Sequence, residues 1–133
     1  MKDIHNKIAV RSIKTITNIK ISQNEATGVY AIQNATTITG GEINRTVSGL
    51  KENGTINGLT IKTETPWGSS PAIYLVNSNC IVRNCNIQIP SGKAISEGGK
   101  ADYNQVFDNT ITGGTLTKLG ENSSFYNNTI INE

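Results

Sequence analysis

The sequence predicts an all-β solenoid, in which short strands coil around one apolar core. Three observations lead to this prediction. The 133-residue chain contains 19 Ile, 17 Asn, 16 Thr and 13 Gly, a mixture of strand-forming and turn-forming residues. A six-residue pattern with Gly, Asn or Asp at its third position recurs five times. All three prolines lie between copies of this pattern, where they interrupt no strand ladder.

Length and charge narrow the function classes. The length suits one domain. The net charge is only +2, from 12 basic and 10 acidic residues, and no basic cluster indicates a nucleic-acid partner. No apolar run approaches the roughly 18 residues of a membrane span, and the opening residues lack the apolar core of a secretory signal. Two cysteines are too few for a disulfide framework, so a reducing compartment is expected.

The repeat is an apolar residue, any residue, then Gly, Asn or Asp, then two residues of any kind, and Ile. Its copies start at residues 38, 56, 82, 106 and 125, which are 18, 26, 24 and 19 residues apart. These lengths fit one turn of a β-solenoid. The five copies are Ile38–Ile43, Ile56–Ile61, Val82–Ile87, Val106–Ile111 and Phe125–Ile130.

The third position of the pattern predicts a sharp corner. Residues five apart point to opposite faces of a straight strand. Gly, Asn and Asp tolerate the left-handed backbone that a tight corner needs, so a corner there can turn both apolar residues into one interior. We therefore predict strand, corner and strand in each copy, and about five stacked coils.

Further apolar residues precede the copies and predict the remaining side of each coil. In the fourth copy the pattern fits if about two residues are inserted after Ile95. The apolar residues that stand nine and six residues before a copy are Val29 and Ile32, Val47 and Leu50, Ile73 and Val76, and Leu116 and Leu119.

Stacking places equivalent positions above one another. The fourth position of the last two copies is Asn109 and Asn128, which predicts the start of an asparagine ladder. Cys85 belongs to the same column, and we expect both cysteines to be small buried residues. A pair of cysteines with no nearby His is a poor zinc site, so we predict no metal and no cofactor.

The second position should face outward, and there the last two copies carry Phe107 and Tyr126. Stacked aromatic residues on the outside of a rod indicate a contact with another chain, a platform for sugar rings, or ordinary surface. Trp67 lies in a loop between two copies, where it can anchor a ligand or cover an edge of the core.

Catalysis has little support in the sequence. Glycoside hydrolysis usually needs two neighbouring carboxyl groups. Only Asp102 and Glu121 line up, each four residues before its copy, and a solvated turn explains them better than a catalytic pair does. The sole histidine, His5, lies outside the repeats, so a nucleophile with a histidine base is not supported. We therefore predict that the chain is not an enzyme.

The two ends of the predicted rod differ. Residues 1–28 contain Ile13, Ile16, Ile19 and Ile21 in mixed periodicity, so an irregular first coil, an extended arm and a cap all remain open. Only three residues follow the last copy, and we expect no capping segment there. The core residues of the last coil would then face water in a monomer.

The corner pattern, the coil length and the stacked Asn side chains over residues 29–131 resemble the right-handed parallel β-helix of the pectin-lyase-like type. Bacteriophage tailspikes and related virion proteins share this architecture, and their fibrous members are typically trimers. The opening Met1–Ile8 also resembles the start of small phage structural proteins. The resemblance is specific for architecture, because the fold carries enzymes and inert scaffolds alike.

Together with this resemblance, the expected lack of a C-terminal cap, the small size and the lack of a recognisable active site lead us to expect a non-enzymatic bacteriophage virion protein, either a capsid decoration or a short head or tail fibre. We expect a homotrimer, assembled in the host cytoplasm and anchored to a virion protein through an N-terminal arm or cap at residues 1–28, with residues 29–133 forming the parallel β-helix. The residues expected to contact partners are Ile4, His5, Ile8, Val10, Ile13, Phe107 and Tyr126.

The alternative is a carbohydrate-binding or polysaccharide-depolymerising module of tailspike type. It would bind a bacterial surface glycan in a groove lined by Trp67, Tyr74 or the aromatic pair, with Asp102 and Glu121 as its catalytic residues.

Overall fold

The computed structural model describes residues 8–22, 30–63 and 70–132, and within these ranges the chain is all-β. The strands, in chain order, are β1 (Ile8–Arg11), β2 (Thr15–Lys20), β3 (Tyr30–Gln33), β4 (Thr37–Ile43), β5 (Thr46–Ser48), β6 (Thr55–Asn57), β7 (Thr60–Lys62), β8 (Ile73–Leu75), β9 (Ile81–Arg83), β10 (Asn86–Gln88), β11 (Lys93–Glu97), β12 (Gln105–Phe107), β13 (Thr110–Thr112), β14 (Thr115–Thr117), β15 (Ser124–Tyr126) and β16 (Thr129–Ile131).

These strands form a parallel β-solenoid of about five turns, which confirms the predicted fold class. A six-stranded sheet stacks one strand from each layer, in the order β1-β3-β5-β8-β11-β14. The ten-stranded sheet covers the other two sides. Its β4 runs unbroken through the corner, whereas the later layers contribute two short strands each. The right-handed sense of the coil stays a prediction.

The core lies between the sheets and is built from the first and sixth residues of the repeat. In the interior layers Ile38, Ile56, Val82 and Val106 are fully buried, and the Ile that ends each of these copies is at most 1% exposed. Both apolar residues of each copy therefore point inward, as the corner predicted. In the last layer Phe125 is only half-buried and Ile130 is 45% exposed.

The corner itself is left-handed in every layer. At the third position of the repeat φ is 66° at Gly40, 75° at Gly58, 54° at Asn84, 57° at Asp108 and 53° at Asn127. Each of these residue types tolerates this conformation better than most others do. The prediction that the third position turns the chain is confirmed.

A sixth copy of the repeat lies at Ile16–Ile21, in the segment whose periodicity is mixed. Asn18 stands at its corner with φ 51°, and Ile16 pairs in register with Ile38. Val10 in β1 pairs with Ile32, so residues 8–22 form the first layer of the solenoid. These residues therefore stack with the repeats. The boundary after residue 28 and the role of residues 1–28 as an attachment segment stay predictions.

The register of the six-stranded sheet differs in part from the predicted one. Ile32 pairs with Val47. Ile73 pairs with Ile95, which stands before the inserted residues as predicted. Val76 and Leu119 are 38% and 57% exposed, so they do not continue the column of the buried Leu50. Which residues belong to this column is therefore decided by the pairing of the strands, and not by a fixed number of residues before each copy.

The predicted asparagine ladder is present. The side-chain amide of Asn109 donates to Oδ1 of Asn128 at 3.0 Å, and its own Oδ1 accepts the backbone N–H of Cys85 at 2.9 Å. Cys80 and Cys85 are both buried free thiols. Burial raises the pKa of Cys85 to about 11. A thiol with so high a pKa is a small core residue rather than a nucleophile.

Candidate functional site

The most unusual polar group in the described chain is the carboxylate of Glu97, at the end of β11. Glu97 pairs in the sheet with Leu75, which is fully buried in the preceding layer. Glu97 is itself only 1% exposed. A charged side chain therefore occupies a position that the neighbouring layer fills with leucine, and burying a charge there is costly unless it is well hydrogen-bonded.

Four donors surround this carboxylate. Oε1 accepts the backbone N–H groups of Leu119 and Gly120, each at 2.9 Å. Oε2 accepts the side-chain amide of Asn104 at 2.8 Å and the hydroxyl of Ser123. Both oxygens are thus occupied by groups of the protein, three of which belong to the last layer. The arrangement holds the chain around residues 119–123 onto the layer above it.

An open groove of about 400 Å³ lies beside Glu97 on the outer face of the six-stranded sheet. Tyr74 and Ser96 are paired neighbours on adjacent strands of its floor, and Lys93 adds a cation at its rim. The ring of Tyr74 lies over Gly98, where an added Cβ would stand 3.1 Å from the phenolic oxygen. Tyr74 therefore lines this groove, and its role in carbohydrate binding stays a prediction. Trp67 lies outside the described residues.

The two side chains of the predicted acid pair have different environments. Oδ1 of Asp102 accepts the backbone N–H groups of Tyr103 and Asn122, and Oδ2 accepts the side-chain amide of Asn122 at 3.0 Å. These bonds, above all the one from the Asn122 side chain, lower the pKa of the Asp102 carboxyl below its usual value. Glu121 is exposed, and neither residue lines the groove.

The aromatic pair stacks as its column position indicates. The rings of Phe107 and Tyr126 are 5.0 Å apart between centroids and inclined by 6°. Phe107 is half-buried and Tyr126 is 42% exposed, so the stack presents apolar surface on the flank of the solenoid. Tyr103, 58% exposed, is a further exposed aromatic residue in the same layer as Phe107.

The residues near the N-terminus that were predicted to contact partners differ in their burial. Val10 packs against the hydrophobic core, so its side chain contributes to folding. Ile13 is 49% exposed. The backbone of Ile8 belongs to β1. Ile4 and His5 lie outside the described residues.

Within the described ranges, no group of three or more His, Cys, Asp or Glu side chains is placed to hold a metal ion. The same ranges contain no helix long and apolar enough to cross a membrane. No protein-family model, curated protein or solved structure gives a significant match to this chain. The solenoid and its side-chain arrangement are therefore the basis for a proposal about function.

The sequence analysis did not identify Glu97, because no motif in the neighbouring residues distinguishes it. Its donors stand 7, 22, 23 and 26 residues away along the chain. The one usable signal was its place two residues after Ile95, on the inward-facing side of a strand, where an acid is unexpected.

Replacing Glu97 tests its role as a structural anchor. We expect Glu97→Gln to lower the free energy of unfolding by about 3 kcal/mol. The amide NH₂ of the glutamine would face other hydrogen-bond donors, and these buried donors would lose their charged acceptor. Urea denaturation measures the change. The matched control is Glu121→Gln, an exposed site where we expect a change within about 0.5 kcal/mol. Equal effects of the two variants would contradict the role given to Glu97.

The contact between Asp102 and Asn122 predicts a pH dependence. Because the pKa of Asp102 is lower in the folded chain than the unfolded value of about 3.9, its contribution to stability is complete above that pH and is lost as pH falls through the folded pKa. In an NMR titration we expect the Asn122 amide signals to move with a midpoint below about 3.9. The shift should vanish in Asp102→Asn, and a midpoint above the unfolded value would contradict the prediction.

Proposed function

We propose that this chain is a non-enzymatic structural component of a bacteriophage virion, a capsid decoration or a short fibre, that acts as a homotrimer. The observation that carries the proposal is the Phe107–Tyr126 stack, which places two parallel rings on the flank of the rod. Exposed aromatic surface of this kind is typical of contacts between chains. The virion setting and the number of three chains come from the resemblance to fibrous phage proteins.

The acidic residues give further support. Glu97 is enclosed by four protein donors, and Asp102 binds the turn of the next layer. A substrate would have to displace these bonds before either carboxyl group could act on it. Both groups stabilise the stack, as expected of a scaffold.

Attachment to the virion is proposed at the N-terminal end of the solenoid. Ile13 is exposed there, and the described part of this end, residues 8–22, carries Arg11, Lys14 and Lys20 with no acidic residue. Such an end suits an acidic surface on the virion partner. Ile4 and His5 remain in the proposal as contact residues.

The proposed trimer is tested by the mass of the full-length chain in light scattering. We expect the mass of three chains, or of a multiple of three. In Phe107→Ser we expect a lower mass that is no such multiple, because the proposed contact between chains loses one of its two stacked rings. The matched control is Tyr103→Ser, which removes an exposed ring outside the stack and should leave the mass unchanged. A monomeric parent chain would contradict the trimer. Mass spectrometry of purified phage particles tests the virion setting.

The groove beside Tyr74 favours a second candidate, a module that binds bacterial surface glycans. Tyr30 and Tyr74 both line the groove, and aromatic rings suit the apolar faces of sugars. A glycan array with the parent chain and Tyr74→Ala separates the candidates, since glycan binding that is lost in the variant would favour this one.

A further inference from the structure

The side of the solenoid that carries the aromatic pair has charge of a single sign. The strands β4, β6, β9, β12 and β15 stack along this side, which we call the flank face. In each strand the second residue packs into or against the core, so the first and third residues point outward. The described outward residues are Thr37, Thr39, Thr55, Asn57, Ile81, Arg83, Gln105, Phe107, Ser124 and Tyr126. Arg83 is the one charged residue among them.

Arg83 stands directly beside the aromatic stack. It pairs in register with Phe107, which pairs with Tyr126, so one cation and two rings form a single column. The side chain of Arg83 is exposed, and its guanidinium forms no ion pair within the part of the chain that the structure describes. A guanidinium beside apolar rings suits a carboxylate that comes from outside the chain.

A carboxylate of this kind lies on the neighbouring edge of the solenoid. The left-handed corner residues Asn84, Asp108 and Asn127 each directly follow a member of the column. Asp108 is exposed, and within the described ranges its carboxylate forms no ion pair, although Arg83 is only one layer away. The chain therefore carries a cation beside apolar rings on one surface and a matching carboxylate on the adjacent surface.

We propose that Arg83 of one copy of this chain binds Asp108 of a neighbouring copy, beside the contact made by Phe107 and Tyr126. This inference rests on the proposed homotrimer, because it names a charged pair of the same contact. An acidic partner protein would satisfy Arg83 alone, whereas a second copy satisfies both Arg83 and Asp108. The contact joins two different surfaces, so it repeats from copy to copy and closes into a ring.

The geometry of the layers permits this pair when the copies run parallel. Equal layers then lie at equal height, and Arg83 belongs to the layer next to that of Asp108. Neighbouring layers are roughly 4.8 Å apart, a distance that an extended arginine side chain spans.

The first test is a cycle of charge-removing variants of the full-length chain in sedimentation equilibrium. We expect Arg83→Gln and Asp108→Asn each to raise the concentration of half-dissociation about tenfold at low salt, and the double variant to be no weaker than either. Asparagine tolerates the left-handed corner, so Asp108→Asn retains the fold. The matched controls Lys62→Gln and Glu121→Gln remove exposed charges outside the contact and should change nothing.

The second test reverses the charge of Arg83. Arg83→Glu sets two carboxylates against each other, so it should weaken association more than Arg83→Gln does. In the Asp108→Asn background the two variants of Arg83 should associate equally. The difference should also disappear in 1 M salt, where screening acts within about 3 Å.

The outcomes separate this pair from the homotrimer itself. A parent mass of three chains that none of these variants weakens would overturn the pair of Arg83 with Asp108 and support the trimer. Additive losses in the double variant would also overturn the pair, provided that circular dichroism shows folded protein. A parent mass of two chains that the variants lower would support the pair and overturn the trimer, and a single chain would overturn both.

Discussion

The left-handed residue at the corner of each layer is the constraint on which the rest of the solenoid depends. Six layers place Asn18, Gly40, Gly58, Asn84, Asp108 and Asn127 there, with φ between 51° and 75°. This turn lets apolar residues five apart point into the same interior, which a straight strand does not. Because the corner recurs at the same position, every other column follows from it: the isoleucine core, the Asn109–Asn128 ladder and the outward stack of Phe107 on Tyr126.

The buried Glu97 shows how a repetitive fold can hold an irregular segment in one place. Around residues 98–104 the inserted chain departs from the repeat, and the carboxylate of Glu97 is fixed by Asn104 at the far side of that insertion. Its other donors, Leu119, Gly120 and Ser123, belong to the following layer. One charge with four donors thereby links three separate segments, and a buried polar network of this kind favours a single arrangement of the chain.

The sequence predicted the features that depend on one residue and its neighbours, and it predicted less well the features that depend on contacts between layers. The corner was predictable, because a left-handed turn needs Gly, Asn or Asp at that residue. For residues 1–28 the sequence left a first coil, an arm and a cap open, although Ile16–Ile21 fits the same template, because the additional Ile13 and Ile19 make the apolar spacing of this segment mixed. The column of the six-stranded sheet was only partly predictable. Ile32 precedes its copy by six residues and Val47 by nine, yet the two are paired. The donors around Glu97 were beyond local patterns, since tertiary stacking alone brings them together.

The most direct test of the corner compares Asp108→Gly with Asp108→Val by urea denaturation. Asp108 is exposed, so neither change alters the core, and its φ is 57°. A β-branched residue in left-handed backbone is strained, so Asp108→Val should be less stable than Asp108→Gly by about 1–2 kcal/mol. Equal stability of the two variants would contradict the view that a left-handed corner determines this fold.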